Sequence, residues 1–184
     1  MNKIWITSDL HFGHQREFLY EPRGFTSIYD HDEEIIKNWN SVVDIDDDVY
    51  ILGDIMLNDN EYGIQLFKRL KGKIHIIRGN HDTDARMELY SKCWNVVEIC
   101  EGKFLKVDKQ SYFLSHYPSL TSNFDEDKPL HKKIINLCGH SHCQNKFQDM
   151  DKGIIYHCEL DAHNCYPVCI DTIIEDIKNY IKER

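Results

Sequence analysis

The sequence predicts an α/β protein in which two β-sheets pack face to face, with helices on the outside. Two observations indicate this class. The first third of the 184-residue chain alternates short apolar segments with amphipathic ones, which is typical of βαβ units and a parallel sheet. From about residue 95 onward, short segments rich in β-formers follow one another with few helices between them. This second pattern favours another, more antiparallel sheet.

The first third contains three short strands joined by two helices. The strands are predicted at residues 3–8, 48–52 and 73–77. The first helix is predicted to begin at Asp30, because Glu33 stands three positions later as in a capping box. Its apolar face consists of Ile35, Ile36, Trp39, Val42 and Val43. The second helix is predicted over residues 60–71, with Gly72 ending it.

The rest of the chain is predicted to be strands followed by one helix. The strands lie around residues 95–100, 103–107, 111–115, 133–138 and 153–158. Asp171 is expected to cap the final helix, whose apolar face consists of Ile173, Ile174, Ile177, Tyr180 and Ile181. No repeat or linker divides the sequence, so we expect a single domain over residues 1–184.

The composition narrows the class of protein and its compartment. The formal net charge is −9, from 22 Lys and Arg against 31 Asp and Glu. This balance argues against a protein that coats long nucleic acid, although bound cations would let an acidic protein take a phosphate substrate. No apolar run approaches the roughly 20 residues of a membrane-spanning helix, and the N-terminal residues show no signal-peptide pattern. We therefore expect no membrane partner. An odd number of cysteines, seven, in a chain without a secretory signal favours reduced thiols and a cytoplasmic location.

The polar clusters that carry chemistry all follow predicted strands. They are Asp9 and His11 after the first strand, Asp54 after the second, Asn80, His81 and Asp82 after the third, His116 after the strand at 111–115, and His140 and His142 after the strand at 133–138. Loops from neighbouring strands converge at the carboxyl edge of an open α/β sheet, so we expect these side chains to meet there.

These residue types are ligands for divalent cations. Asp, Asn and His supply oxygen and imidazole nitrogen, and no cysteine stands at ligand spacing within the clusters. In D-x-H and H-x-H, both side chains are expected to point the same way, because alternate residues of an extended segment share a face. Gly53, Gly79 and Gly139 are expected to permit sharp turns and close approach of the backbone. Two cations about 3.5–4 Å apart would clamp a phosphate ester and activate water.

The ordered set of motifs resembles the calcineurin-like metallophosphoesterase superfamily. The motifs are Asp9-x-His11, Gly53-Asp54, Gly79-Asn80-His81-Asp82, His116 and Gly139-His140-x-His142. The opening S-D-L-H-F-G-H and the late N-x-Y-P-V stretch at 164–168 are similar to those of small bacterial and phage-type members, and the resemblance spans residues 3 to about 170. It implies a four-layer α/β/β/α sandwich of two mixed sheets flanked by helices.

The resemblance also implies a role for each residue of the set. Asp9, His11 and His142 would hold one metal ion, Asn80, His116 and His140 a second, and Asp54 would bridge the two. Among the catalytic residues, His81 would contact the phosphate and protonate the leaving oxygen, Asp82 would orient the His81 imidazole, and Asn80 would bind a phosphate oxygen. His14 is not part of the set, but its position in the sequence would let it contact the substrate phosphate if the loop after Asp9 folds back.

The function indicated is hydrolysis of a phosphomonoester or phosphodiester by a hydroxide that bridges two divalent metal ions. Mn²⁺ is the first expectation, with Fe, Ni, Co and Zn as alternatives, because the ligands select a class of metal rather than an element. The expected substrate is a small phosphate ester, with nucleotides included. The alternative is a non-catalytic phosphoesterase-like binding or scaffold module. The sequence leaves the substrate, the choice between phosphatase and phosphodiesterase, and the oligomeric state open.

Other residues with chemical potential are expected to have structural roles. His31, His75, His131, His157 and His163 have no placement comparable to that of the set, and solvated or core positions are favoured. Cys138 and Cys143 bracket the G-H-S-H segment, but their spacing is not that of the usual zinc-binding pairs, and core roles are preferred. The aspartates at 44–48 lack the glycine and terminal glutamate of an EF-hand, so a solvated connection is expected.

Overall fold

The computed structural model describes residues 2–121, 132–148 and 153–183. Within these ranges the strands are β1 (Ile4–Thr7), β2 (Asp48–Ile51), β3 (Lys73–Ile77), β4 (Val96–Cys100), β5 (Lys103–Val107), β6 (Gln110–Leu114), β7 (Ile134–Cys138), β8 (Phe147–Gln148), β9 (Ile155–His157) and β10 (Val168–Cys169). The helices are α1 (Glu17–Tyr20), α2 (Ile28–Val42), α3 (Asn60–Phe67), α4 (Asp84–Ser91) and α5 (Ile170–Lys182). His131 lies outside the described residues. In the part of the chain that the structure describes, no helix has both the length and the apolarity to cross a membrane.

The strands form two mixed sheets. The first has the order β10-β1-β2-β3-β4, with β1 to β4 parallel and β10 antiparallel to β1. The second has the order β5-β6-β7-β9-β8, with a parallel centre and antiparallel edges. The predicted α/β/β/α sandwich of two mixed sheets flanked by helices is confirmed.

Two hydrophobic cores hold the layers together. Alternate residues of a strand face opposite sides of its sheet, so Trp5 joins one core and Ile6 the other. The first core lies between the first sheet and the helices α2 to α4, and it includes the fully buried Trp39. The second lies between the two sheets and also takes in Ile173 and Ile177 of α5. Burial on both faces explains why the central strands read as continuous apolar runs.

One strand lies in a different sheet from the one that the sequence predicts. The segment at 95–100 was expected in the second sheet, but β4 pairs parallel with β3, with Ile99 opposite Ile76. The helix α4 joins these two strands, as a parallel crossover requires, and its eight residues were not predicted to be helical. The strands β8 and β10 were also missed, because two residues are too few to show a periodicity.

The helix ends differ from the predicted ones. The helix α2 is capped by Ser27, whose hydroxyl accepts from the backbone N–H of Asp30, so the predicted cap at Asp30 is wrong. The Asp30 carboxylate accepts in return from the Ser27 hydroxyl, 2.8 Å away. The helix α3 ends at Phe67 rather than at residue 71. Asp171 lies in the first turn of α5, whose N-cap is Cys169.

Candidate metal centre

The first group of predicted ligands meets at the ends of β1 and β7. Nε2 of His11 lies 3.6 Å from Oδ1 of Asp9, and Nε2 of His142 lies 3.7 Å from the same oxygen. Asp9 and His11 are buried, whereas the His142 side chain is 36% exposed. One ligand atom from each residue lies within 4.8 Å of the others, a spacing that allows all three to contact one cation.

A second group lies beside the first and shares Asp54 with it. Nε2 of His116 lies 3.5 Å from Oδ2 of Asp54 and 2.8 Å from Oδ1 of Asn80. Nδ1 of His140 lies 2.9 Å from Oδ1 of Asn80. Oδ2 of Asp54 also lies 3.8 Å from Nε2 of His11 in the first group. The structure therefore brings the seven predicted ligands together in two groups that Asp54 joins.

The loops that carry these residues are curled rather than extended. Asp9, His11, Asp54, His140 and His142 all have positive φ angles, between 49° and 73°. Non-glycine residues seldom adopt this left-handed conformation, and such strained residues concentrate at functional sites. The prediction that D-x-H and H-x-H form extended segments is therefore wrong. The side chains converge because the loops curl over the ends of the strands.

Three glycines let these loops approach one another, as predicted. A Cβ atom at Gly139 would overlap Ser8 Oγ and lie 2.5 Å from Oδ2 of Asp9. A Cβ atom at Gly79 would overlap Oδ1 of Asp54, and one at Gly53 would lie 2.8 Å from Nδ1 of His116. Gly53 also has a φ of +91°, which disfavours any side chain.

Comparisons with known proteins agree with this geometry. The calcineurin-like phosphoesterase superfamily domain matches residues 2–157. This chain belongs to that superfamily. An uncharacterized protein of Methanocaldococcus jannaschii, MJ1445, is 37% identical over 183 residues, which cover 97% of this chain and 93% of that protein. The gene 66 protein of Mycobacterium phage L5 is 31% identical over 164 residues, which cover 77% of this chain and 78% of the phage protein.

A solved structure supports the fold separately. The protein of unknown function AQ665 from Aquifex aeolicus matches with a TM-score of 0.66 at 20% identity, covering 95% of this chain and 99% of that one. At this identity the likeness concerns the fold alone. Membership in the superfamily places the chain among metal-dependent phosphoesterases, enzymes that act on phosphate esters.

The buried side chains of this site are suited to binding a divalent metal ion. Oδ1 of Asp9 and both ring nitrogens of His11 are buried and have no hydrogen-bond partner among the described residues. Their separation of 3.6 Å is too long for a hydrogen bond. Buried polar atoms are nearly always paired, and a cation would bind Oδ1 of Asp9 together with one ring nitrogen of His11. Carboxylate, amide and imidazole ligands suit first-row divalent ions.

The charges within the site are strongly perturbed. Burial lowers the pKa of His11 to about 4, so this ring is neutral near neutral pH. Burial opposes ionisation of Asp9, but the neighbouring His11, His142 and His116 outweigh it, and the pKa of Asp9 lies well below its usual value. Burial raises the pKa of Asp54 to about 6, with Asp9 among the further causes.

Asp82 lies beneath the site and not beside the ring of His81. Its oxygens accept hydrogen bonds from the backbone N–H groups of Asp54, Ile55 and Gly79 and from the hydroxyl of Tyr90, at distances of 2.8, 3.3, 3.0 and 3.1 Å respectively. Among the described residues, the Asp82 carboxylate makes no hydrogen bond to the His81 imidazole. The prediction that Asp82 orients that ring is therefore wrong. Its carboxylate instead ties the loop of Asp54 to the loop of Gly79.

His81 is held through its backbone. Its N–H donates to Oδ1 of Asp54 at 2.8 Å, and its carbonyl accepts from Nη1 of Arg86 at 2.6 Å. The side chain is 43% exposed, and Nε2 lies 4.0 Å from Oδ2 of Asp54. The ring therefore reaches the metal ligands from the solvent side.

His14 does fold back towards the site. Its ring centroid lies 5.3 Å from that of His11 and 5.6 Å from that of Phe18. Nδ1 of His14 is buried and has no partner among the described residues. Burial lowers the pKa of His14 to about 4, with the charge of His81 as the next cause.

A layer of charged residues behind the ligands was not predicted. Nη2 of Arg23 donates to the carbonyl oxygen of Asp9 at 2.9 Å and to Oδ2 of Asp161 at 2.6 Å. Nη1 of Arg23 lies 2.9 Å from Nε2 of His31, and Nδ1 of His31 lies 2.9 Å from Oδ1 of Asp32. These side chains are almost wholly buried. Of the solvated and core positions expected for His31, the structure shows the core one, within a network that fixes the backbone of Asp9.

Proposed function

We propose that this protein hydrolyses a phosphomonoester or phosphodiester with two divalent cations bound at the metal centre. The observation that carries the proposal is the position of Asp54. Oδ2 of Asp54 lies 3.5 Å from Nε2 of His116 and 3.8 Å from Nε2 of His11, which belong to different ligand groups. A carboxylate between two ligand groups is suited to bridging two cations and fixing their separation.

The proposed ligand sets follow the two groups. One cation is held by Asp9, His11, His142 and Asp54, and the other by Asp54, Asn80, His116 and His140. The His116 ring is oriented by the carbonyl oxygen of Leu52, 2.7 Å from Nδ1, so that Nε2 faces the second site. We infer Mn²⁺ as the first candidate, because the ligands are oxygen and imidazole nitrogen without thiolate.

Each remaining residue has a separate part in the reaction. When bound, the cations supply a hydroxide near neutral pH and neutralise charge on the phosphate. Asn80 places its amide at the second metal site, where it also binds a phosphate oxygen. His81 donates a proton to the leaving oxygen from its exposed ring. His14 contributes to the wall of the phosphate pocket through its ring beside His11.

The chain leaves the site open to small substrates. Only 33 residues separate Asp82 and His116, which is little room for a domain that covers the site. The exposed rings of His81 and His142 border the open side. A small phosphate ester, with nucleotides among the candidates, is therefore the proposed substrate.

The test is a screen of cations against mono- and bis-p-nitrophenyl phosphate with purified protein. We expect turnover of at least one ester, greatest with Mn²⁺. Replacement of the proton donor in His81→Ala is expected to lower kcat by about 10²- to 10⁴-fold with the fold intact. His75→Gln is the matched control, since His75 lies on β3 and pairs with Asp48 and Glu98.

Two results would contradict the proposal. Undiminished turnover in His81→Ala would remove the assigned proton donor. Two bound metals without turnover of either ester, across several cations, would favour the scaffold alternative.

A further inference from the structure

A second cluster of ligand residues lies behind the loop that carries His140 and His142. It consists of Cys143, His157 and Glu159, and one ligand atom from each lies within 4.8 Å of the others. Nδ1 of His157 lies 3.0 Å from Oε1 of Glu159 and 3.8 Å from the sulfur of Cys138. None of these residues belongs to the metal centre described above. The sequence favours core roles for the two cysteines, but it does not connect them with His157 and Glu159.

The hydrogen bonds within this cluster do not satisfy all of its buried polar atoms. Glu159 is fully buried, and His157 is 2% exposed. Oε1 of Glu159 accepts from the backbone N–H of Cys143 at 3.2 Å and faces His157. Oε2 of Glu159 is buried without a partner among the described residues. An ion pair with His157 therefore leaves half of a buried carboxylate unsatisfied, which is costly.

We propose that this cluster binds one Zn²⁺ ion through Cys143 Sγ, His157 Nδ1 and the carboxylate of Glu159. The thiol proton of Cys143 leaves to solvent as the S–Zn bond forms, and His157 binds as the neutral ring with its proton on Nε2. The thiolate and the carboxylate together balance the charge of the cation. The second oxygen of Glu159, which has no partner among the described residues, is available to complete the coordination of the cation.

The mixture of donors selects zinc over the cations proposed for the phosphoesterase centre. Thiolate sulfur with imidazole suits Zn²⁺, whereas carboxylate, amide and imidazole without sulfur suit harder ions. The location also gives the ion a structural role. Cys143 directly follows His142, and Glu159 lies two residues before Asp161, which contacts the His142 ring. Zinc would therefore fix both segments that position His142.

The test uses cobalt as a spectroscopic substitute for zinc. Metal-free protein is titrated with Co²⁺, and the thiolate-to-cobalt charge-transfer absorption is recorded in the near ultraviolet. The phosphoesterase centre has no sulfur ligand, so this absorption reports on the second cluster alone. We expect one equivalent of thiolate-bound Co²⁺ in the wild type and in Cys100→Ser, a cysteine control on β4. We expect none in Cys143→Ser.

Two further variants make the result decisive. Asp54→Ala removes the carboxylate shared by the phosphoesterase ligands and is expected to keep the charge-transfer band, which separates this proposal from the proposed function. Glu159→Gln is the second test, should Cys143→Ser fail to fold by circular dichroism. It is expected to carry one zinc fewer than the wild type by elemental analysis. A wild type without the band, a Cys143→Ser protein that keeps it, or a Glu159→Gln protein with full zinc would each overturn the proposal.

Discussion

Oδ2 of Asp161 lies 3.1 Å from Nδ1 of His142, on the side of the ring away from Asp9. The same oxygen accepts from Nη2 of Arg23 at 2.6 Å. Burial opposes a charged His142, but the bond to Asp161 outweighs it and raises the pKa of the ring. Carboxylates behind a ligand histidine fix its tautomer and increase its basicity. Asp161 thus directs Nε2 of His142 towards Asp9.

Asp161→Asn is predicted to weaken metal binding without removing a ligand. The amide is a weaker partner for the ring, and loss of such a partner costs about 10- to 100-fold in metal affinity or activity. The measurement is the Mn²⁺ dependence of phosphoesterase turnover, together with calorimetric titration of metal-free protein. Asp171→Asn, an exposed change in α5, is the control and should match the wild type. An unchanged Mn²⁺ affinity in Asp161→Asn would remove this role.

Asp82→Asn is predicted to lower the free energy of unfolding. The carboxylate accepts three backbone N–H groups and the Tyr90 hydroxyl, and each buried donor left unpaired costs about 1–3 kcal/mol. Urea unfolding of metal-free protein measures the loss. Tyr90→Phe removes one of these bonds and is expected to cost about 1 kcal/mol.

Glu88→Gln is the control for this comparison, since Glu88 pairs with Lys92 on the exposed face of α4 and should be neutral. The opposite pattern, full stability of Asp82→Asn with a shifted pH profile of kcat, would return Asp82 to the role of partner to the His81 imidazole.

The sequence was sufficient to predict individual strands and helices, but not all of their ends and partners. The strand at Lys73–Ile77 was predicted residue for residue, because a short apolar run between polar residues carries its own signal. The N-cap of α2 was not predicted correctly. Ser27 and Asp30 are both good capping residues, and three-dimensional packing selects between them. The partner of β4 could not be inferred either. Of the eight residues in α4, only Tyr90 is buried, so this helix shows almost no apolar periodicity.

The sequence was sufficient to predict which residues of the site are candidate ligands. Residues that follow strands in a fixed order can be identified in the sequence, and the structure brings them together at the carboxyl ends of strands from both sheets. The left-handed backbone at Asp9 and His142 could not be read, because neither is a glycine and tertiary contacts impose the conformation. Arg23 and Asp161 stand 138 positions apart, Arg23 in a turn and Asp161 in a 3-10 helix over Leu160–Ala162, so nothing in the local sequence connects them.

Gly139→Ala is predicted to abolish metal binding while leaving most of the fold intact. The new methyl group would overlap Ser8 Oγ, which lies 2.5 Å from Oδ2 of Asp9, so the loop carrying His140 must move away. Metal content after dialysis and turnover with Mn²⁺ measure the loss. Gly102→Ala is the matched control, because its methyl group would lie 3.2 Å from the Phe113 ring and 3.4 Å from the carbonyl oxygen of Leu114, without overlap. Equal metal content in the two variants would refute the requirement for close approach at Gly139.

Metal affinity is predicted to fall as the pH drops below about 6. Burial raises the pKa of Asp54 to about 6, so below that pH a cation must displace a proton from this carboxyl group. His11, with a pKa lowered by burial to about 4, is already neutral across this range and adds no competing proton. His142, whose pKa is raised by Asp161 despite its burial, adds a second proton, so affinity is expected to fall by roughly ten- to a hundredfold per pH unit, with a plateau once both groups have lost their protons.

Calorimetric titration with Mn²⁺ at a series of pH values measures this dependence, and the number of protons released follows from titrations in buffers of different ionisation enthalpy. Asp54→Asn is the control, because it cannot titrate at this position and should bind weakly, with one proton fewer released on binding around pH 6. If the wild type instead kept constant affinity through this range while Asp54→Asn bound equally well, Asp54 would not be the carboxylate that the cations share.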